Sequence, residues 1–497
     1  MYKLKTMDTG DGQVSVDKFK ARLCAGGHRQ HYLIDWEEAF APTVKLDSFR
    51  LLMSLVAQHN LDLTQIDFKS AFLHGKVENP VYMQMPKGLR TYKDGREQVA
   101  KVIGNVYGLH QSSRVWFKLL RGWLVSYGFE QMQSDQCVYV YRKGNKFLIL
   151  FSFVDDCGII TNCTELRRDF MKDLQKDFEV DDMGNMHYFL GMKISKEENS
   201  VSIDSSKYIS EKLTEFGLEN CNPASTPMAE QDKTTGNTTS PLDSTEHSLF
   251  RSIVGALIWL STTTRVDVSF AASSLSQRVQ SPTQGDLSNA KRAFRYLKGT
   301  KDDALTYRKE GKADLTIKQR SIKDYNNVVG NSDADWAASK TDRKSITGYD
   351  FRNAGAAISW KTKKQPTVAL STYESEYLAL SSATQHALFL LSLLKELSIV
   401  PLFRDIAKTP LLIFGDNQSA LKTASEQALS TRAKHIDIRH HFVLDVIKRG
   451  DVKVLYVKSE DNPADMLTKS LHKIKFHKFR SDLMGIPLPS WIKTQGG

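Results

Sequence analysis

Two aspartates stand directly behind an unbroken apolar run, Phe147-Leu-Ile-Leu-Phe-Ser-Phe-Val154-Asp155-Asp156. The run is short and rich in aromatic and branched residues, which predicts a buried strand. Adjacent carboxylates at its end repel each other and lose hydration, so the arrangement favours a cation between them. A third acid, Asp67, follows the strand-like piece Leu63-Thr-Gln-Ile and precedes a turn into a helix. Mg²⁺ prefers one or two carboxylates together with substrate phosphates, a need that the pair with the third Asp supplies. Two such ions ~3.5–4 Å apart serve phosphoryl transfer. A solvated turn is the competing reading of the pair.

A second set of acids lies toward the C-terminus. Asp333 follows Val328-Val-Gly-Asn-Ser at an expected strand end, and Asp416 ends the strand-like Leu411-Leu-Ile-Phe-Gly. Glu376 precedes Ala379 and Ala383 by three and seven residues, which puts it on the inward face of an amphipathic helix. Asp465 sits in Asp461-Asn-Pro-Ala-Asp465-Met-Leu-Thr-Lys469. Spacing alone does not prove that the four converge.

Composition narrows the class. The 497 residues carry a formal charge of +11, which favours a polyanionic partner such as nucleic acid. Five cysteines without a Cys-x-x-Cys pair give no support to a zinc ribbon or a disulfide framework. The uninterrupted apolar runs fall short of the ~18–20 residues that span a bilayer, and no charged-then-apolar leader is visible. An intracellular setting without a membrane partner is expected. Residues 219–248 are rich in Asn, Ser, Thr and Pro and read as a linker.

The first block resembles the reverse transcriptase of copia-type LTR retrotransposons. The matching segments include Lys20-Ala-Arg22-Leu, Phe40-Ala-Pro42-Thr-Val-Lys45, Asp67-Phe-Lys-Ser-Ala-Phe72-Leu-His-Gly75, Tyr107-Gly-Leu-His-Gln111-Ser-Ser-Arg114, Phe153-Val-Asp-Asp156 and Tyr188-Phe-Leu-Gly191. The resemblance implies Asp67, Asp155 and Asp156 as polymerase metal ligands and Lys20 and Arg22 as the grip on the incoming triphosphate. It implies Gln111 as a wall of the nucleotide pocket. Phe72 becomes the ring that crowds the sugar 2′ carbon, and the turn at 189–192 the holder of the primer end. Departures fall at Cys24-Ala-Gly26-Gly27, Ser113 and Val266, where the family usually has a bulky apolar then a basic residue, Ser-Pro-Arg, and Arg-Pro-Asp.

The third block resembles the ribonuclease H of the same elements, through Thr347-Gly-Tyr349, Ser371-Thr-Tyr-Glu-Ser-Glu376-Tyr, Gly415-Asp416-Asn-Gln-Ser and Thr431-Arg-Ala-Lys-His435-Ile-Asp-Ile-Arg-His440-His441. On that likeness Asp333, Glu376, Asp416 and Asp465 hold the metal. Glu376 is preferred to Glu374, and Asp335 is the nearest competitor of Asp333.

The expected fold is α+β and α/β multidomain. It has reverse transcriptase fingers and palm over 1–218, a linker over 219–248 and a helical thumb or connection over 249–327. A ribonuclease H-like domain over 328–470 and a basic tail over 471–497 follow. The implied activity is RNA-directed DNA synthesis with cleavage of RNA in the hybrid, using two Mg²⁺ or Mn²⁺ per site. Its partners would be an RNA template, a DNA or tRNA primer, the RNA–DNA hybrid and deoxynucleotides, within a cytoplasmic retroelement particle or the nucleus. Gag, protease and integrase parts are expected elsewhere, in a longer reading frame or a degraded copy. The rivals are a co-opted nucleic-acid-binding protein without catalysis and a nuclease acting alone.

Three further signals stand apart from these motifs. Asp8-Thr9-Gly10 lacks the apolar surroundings of an aspartic protease and predicts a polar hairpin turn. His435, His440 and His441 lack zinc spacing and read as a helix surface facing the hybrid backbone. Lys291, Arg292, Arg295 and Lys298 form a basic helix edge suited to template–primer phosphates.

Overall fold

The computed structural model describes residues 2–8, 14–230, 240–310, 328–339, 342–425 and 437–493. Two compact units interleave along the chain: Met1–Val44 with Thr64–Asn185, and Lys45–Leu63 with Met186–Gly497.

The first unit is built on a six-stranded sheet. Its strands run in the spatial order Val180–Asn185, Asp62–Phe68, Asp156–Thr161, Lys146–Phe153, Val138–Lys143 and Glu130–Gln131. The Lys146–Phe153 strand is buried through its centre, as a continuous apolar run requires. Helices Ser112–Tyr127 and Thr164–Asp177 supply Trp116, Leu120, Leu124, Phe170 and Leu174 to one core with Leu148, Leu150 and Ile159. The spacing 166, 170, 174 in the second helix is the i, i+4 stripe that such packing demands. Tyr2–Asp8 and Val14–Ala21 pair antiparallel with Asp8 opposite Val14, in keeping with a hairpin at the Asp-Thr-Gly triplet. Thr9 and Gly10 themselves lie outside the described residues.

The second unit takes in helix Leu46–His59, although this helix precedes the first unit's sheet in sequence. Arg50 ties it down. Its guanidinium donates to the carbonyls of Ile358, Thr262 and Thr263 at 2.7–2.9 Å and lies 3.9 Å from the Trp360 ring centroid. Ser244–Thr263 begins inside the expected linker, because Asp243 and Glu246 close a capping box there. Tyr188–Phe189 and Met192–Glu197 form a hairpin across Leu190 and Gly191, both at positive φ, as the tight two-residue turns of hairpins require.

The unit's main sheet has five strands in the order Ala356–Lys364, Ile346–Asn353, Val329–Asp335, Leu411–Gly415 and Val452–Tyr456. The first three are antiparallel and the last two join in parallel. Helix Thr372–Leu397 packs on its centre. By length and composition this helix is apolar enough to cross a membrane. Its stripe of Ala379, Ala383, Ala387, Leu390, Leu394 and Leu397 is instead buried in the unit's core. The expected mixed α+β and α/β multidomain class is the one observed.

Candidate functional site

In the first unit, Phe153 pairs with Asp156, leaving Val154 and Asp155 as a two-residue hairpin turn. Val154 stands at φ 61°, unusual for a β-branched residue and strained by about 1–3 kcal/mol. The Trp116 indole N–H donates to the Val154 carbonyl at 2.8 Å and holds the turn. The strand Asp62–Phe68 lies beside Asp156–Thr161, and its Phe68 N–H donates to the Asp155 carbonyl at 3.5 Å. Asp67 thus sits within a strand, one residue short of its end, rather than after it. Burial raises the Asp156 pKa, and the charges of Asp155 and Asp67 add to the effect. Asp67, Asp155 and Asp156 are nevertheless not among the described acids whose carboxylates all meet within 4.8 Å.

Around them, Arg22 lies with its guanidinium 5.1 Å from the Tyr107 ring centroid, and the Phe72 ring stands 5.0 Å from the same ring. Gln111 accepts from Gln30 at 3.1 Å and donates to the Asp35 carbonyl at 3.2 Å. The Lys20 side chain lies outside the described residues. At the Gly26-Gly27 departure the chain is tightly seated: a Cβ on Gly27 would come within 2.0 Å of the Gly108 carbonyl oxygen.

In the second unit, carboxylate oxygens of Asp333, Asp416 and Asp465 all lie within 4.8 Å of one another. Among the described residues this is the one set of three acidic, His or Cys side chains that meets so closely. Asp333 is in mid-strand, not at a strand end, and its cross-strand partner is Gly348. Gly348 is what lets the 464–468 segment approach: a Cβ there would meet Thr468 Cγ2 at 2.7 Å and Leu467 Cβ at 2.9 Å. Thr468 then donates its hydroxyl to Asp333, and Asn462 donates to the Ser332 carbonyl at 3.0 Å. Ser459 donates to Asp416.

The Glu374 carboxylate accepts from the Leu370 N–H at 2.6 Å at the helix start; Glu376 is not one of the three acids that meet within 4.8 Å, though their charges act on it. Burial, with Asp333 and Asp416 next, pushes Glu376 up to about 10. Asp333 rises to about 7, through burial and then Asp465. Asp335, on the same strand face, is also raised by burial but is not one of the three that meet. Buried acids that repel one another into taking up protons form a donor set suited to a hard divalent cation.

Residues 2–230 match the family model described as reverse transcriptase (RNA-dependent DNA polymerase). Over 483 residues the chain is 34% identical to the Pol polyprotein from transposon TNT 1-94 of Nicotiana tabacum, covering 96% of this chain and 34% of that polyprotein. It is also 34% identical over 234 residues to the mitochondrial protein AtMg00810 of Arabidopsis thaliana, covering 47% of this chain and 90% of that protein. Residues 2–230 belong to the reverse transcriptase family. The chain spans about a third of the length of the TNT 1-94 polyprotein. A solved foamy viral protease–reverse transcriptase in complex with double-stranded DNA aligns with a TM-score of 0.44 and 10% identity, covering 92% of this chain and 65% of that one.

Two expectations are not met as stated. On the basic edge of helix Gln284–Gly299, formed by Lys291, Arg292, Arg295 and Lys298, three of the four side chains are engaged within the unit. Arg292 donates to Thr226, Arg295 to the Asn222 carbonyl and Lys298 to the Cys221 carbonyl, at 2.7–3.0 Å, and so pin the preceding loop. His440 is fully buried, with Nε2 3.1 Å from the Thr423 carbonyl, so it is not a surface contact. His435 lies outside the described residues.

Sequence reasoning missed Lys469, which lies 2.7 Å from Asp465. Burial opposes its charge, but Asp333 and Asp465 outweigh this and raise its pKa. It also missed a groove of about 790 Å³ beside the helix that carries Glu376. Lys45, Lys361, Lys363, Lys364 and Arg439 line it, with no carboxylate among the lining residues.

Proposed function

We propose that this chain is an RNA-directed DNA polymerase with ribonuclease H activity. The observation that supports the reading is a group of acids in each unit: Asp156 raised by burial with Asp155 and Asp67 beside it, and Asp333, Asp416 and Asp465 within 4.8 Å of one another. Mg²⁺ or Mn²⁺ would be held by Asp67, Asp155 and Asp156 in one and by Asp333, Glu376, Asp416 and Asp465 in the other. Bound there, two ions per site supply charge stabilisation for the attacking and leaving oxygens of phosphoryl transfer. The reactions are attack of a primer 3′-hydroxyl on the α-phosphate of a deoxynucleotide with release of pyrophosphate, and hydrolysis of RNA in an RNA–DNA hybrid.

The protein's own groups bind and orient. Arg22 would counter triphosphate charge, Lys20 would do so on the resemblance alone, and Gln111 would line the nucleotide pocket. Phe72 excludes a ribose 2′-hydroxyl by its bulk. Trp116 keeps the strained turn in place so that Asp155 is presented without reorganisation. The basic groove with Lys361 and Lys363 favours a nucleic-acid backbone as partner. An RNA template, a DNA or tRNA primer and the other polyprotein parts complete the system, in an intracellular particle.

A second reading, a nuclease alone, draws on the tighter spacing of the Asp333 cluster. Purified protein separates the two. Primer extension on poly-rA with Mg²⁺, abolished by Asp155→Asn, is expected. If only hybrid cleavage is found, and Asp416→Asn removes it, the polymerase half is wrong. Hybrid binding without either reaction leaves the binding-only protein.

A further inference from the structure

Asp465 is held from both ends. Lys469 Nζ stands 2.7 Å from Oδ1 of this carboxylate, whose side chain is 1% exposed, and Lys475 Nζ donates to Oδ2. The two lysines differ in setting. The Lys469 N–H also donates to the Asp465 carbonyl at 3.2 Å, which fixes the base of its side chain beside the acids. Its charge acts on Asp333, Asp335 and Glu376 as well as on Asp465. Lys475 starts from helix Lys473–Met484 and lies 5.3 Å from the Phe479 ring centroid.

We propose that the Lys469 ammonium is the built-in counter-ion of this acid cluster, and that a divalent cation entering the cluster displaces it from Asp465 Oδ1. The inference rests on the two-metal reading of the site. Three carboxylates within 4.8 Å repel strongly unless a cation stands among them, and of the two lysines on Asp465, Lys469 is the one whose charge also reaches Asp333 and Glu376. Its head is compact and its stem flexible. With 36% of its side chain exposed it has solvent to move into. Metal uptake is then an exchange of one cation for another, and its affinity is set by an ammonium already in place.

The test is Mn²⁺ titration of the full chain in an Asp67→Asn/Asp155→Asn background, followed by electron paramagnetic resonance and by melting in EDTA. Lys469→Gln is expected to bind Mn²⁺ about tenfold tighter, the order of effect one unit charge exerts over a few ångströms at the edge of a protein. It should also melt at a lower temperature in EDTA. Lys469→Arg keeps the charge and should stay within about twofold of the parent, and Lys475→Gln should shift affinity less than Lys469→Gln. If Lys469→Gln does not fold in EDTA but folds when Mn²⁺ is added, the exchange holds. If it fails to fold in saturating Mn²⁺ as well, or binds no tighter than the parent, the exchange is refuted. A parent that takes up no Mn²⁺ refutes the two-metal reading itself, and this inference with it.

Discussion

Replacing Asp267 by Asn should unfold the second unit far more readily than replacing the whole ion pair. Asp267 is 2% exposed and Arg265 1%. Its carboxylate accepts from Arg265 Nε at 2.9 Å, Arg265 Nη2 at 2.7 Å and the Tyr296 hydroxyl at 2.5 Å, with Arg480 3.6 Å away. Burial by itself would raise the Asp267 pKa, but Arg265 and Arg480 hold it below the usual carboxylate range. Arg265 also donates to the Thr300 carbonyl and hydroxyl at 2.8 and 2.6 Å, closing the end of helix Gln284–Gly299. Asn keeps the shape but leaves a buried guanidinium without its counter-charge, a loss of about 3–5 kcal/mol. For a unit of this size that is a drop of roughly 4–7 °C in the melting transition. The double variant Arg265→Met/Asp267→Leu removes both buried charges and should melt above Asp267→Asn, since the desolvation cost goes with them. Differential scanning calorimetry of the full chain reads both shifts. A drop under about 2 °C for Asp267→Asn, or a double variant that melts lower still, would refute the reasoning.

Other expectations follow from the same structure. Asp333 and Glu376 hold protons in the folded, metal-free chain that the unfolded chain has shed, Asp333 up to about pH 7 and Glu376 up to about pH 10. In EDTA their contribution is therefore fully present below about pH 4 and is lost as pH rises, by ~1.4 kcal/mol per unit for each such proton. Melting curves from pH 5 to 7 should show this slope in the parent and not in Asp333→Asn/Glu376→Gln; equal slopes would rule it out. Lys361→Ala and Lys363→Ala should each reduce the salt slope of hybrid binding by about one. Arg295→Ala should leave that slope unchanged while lowering the melting temperature, because it holds the Asn222 carbonyl. Trp116→Phe should cost about 0.5–1.5 kcal/mol for the lost bond to Val154 and lower primer extension more than hybrid cleavage.

Much of the acid chemistry was legible because carboxylates next to buried strands are physically expensive. Asp155-Asp156 behind an apolar run, and Glu376 on the inward stripe of a helix, announce themselves through that cost. The buried strand at 146–153 and the helix stripe from Ala379 to Leu397 were equally plain, since period and apolarity decide both. The cations were not. Arg292, Arg295 and Lys298 have the spacing of an exposed basic edge, and nothing in that spacing shows that loop carbonyls some 70 residues earlier take up two of them. His440 looked solvated for the same reason, since its burial depends on a neighbouring helix and not on its own pattern.

The two groups of acids also differ in what assembles them. Asp155 and Asp156 are placed by one hairpin, with Asp67 on the adjoining strand, so their approach depends on a turn held at positive φ by Trp116. The second group is drawn together from three distant segments, and its tightness depends on residues with no acidic chemistry of their own. Gly348 opposite Asp333 leaves room for the 464–468 segment, Thr468 then reaches Asp333, and Asn462 fixes that segment to the Ser332 carbonyl. A side chain at 348 would push Thr468 and Leu467 away and take Asp465 with them, since all three belong to one short stretch. The Thr347-Gly-Tyr349 match thus has a physical reason: the glycine is the space through which two parts of one acid cluster meet.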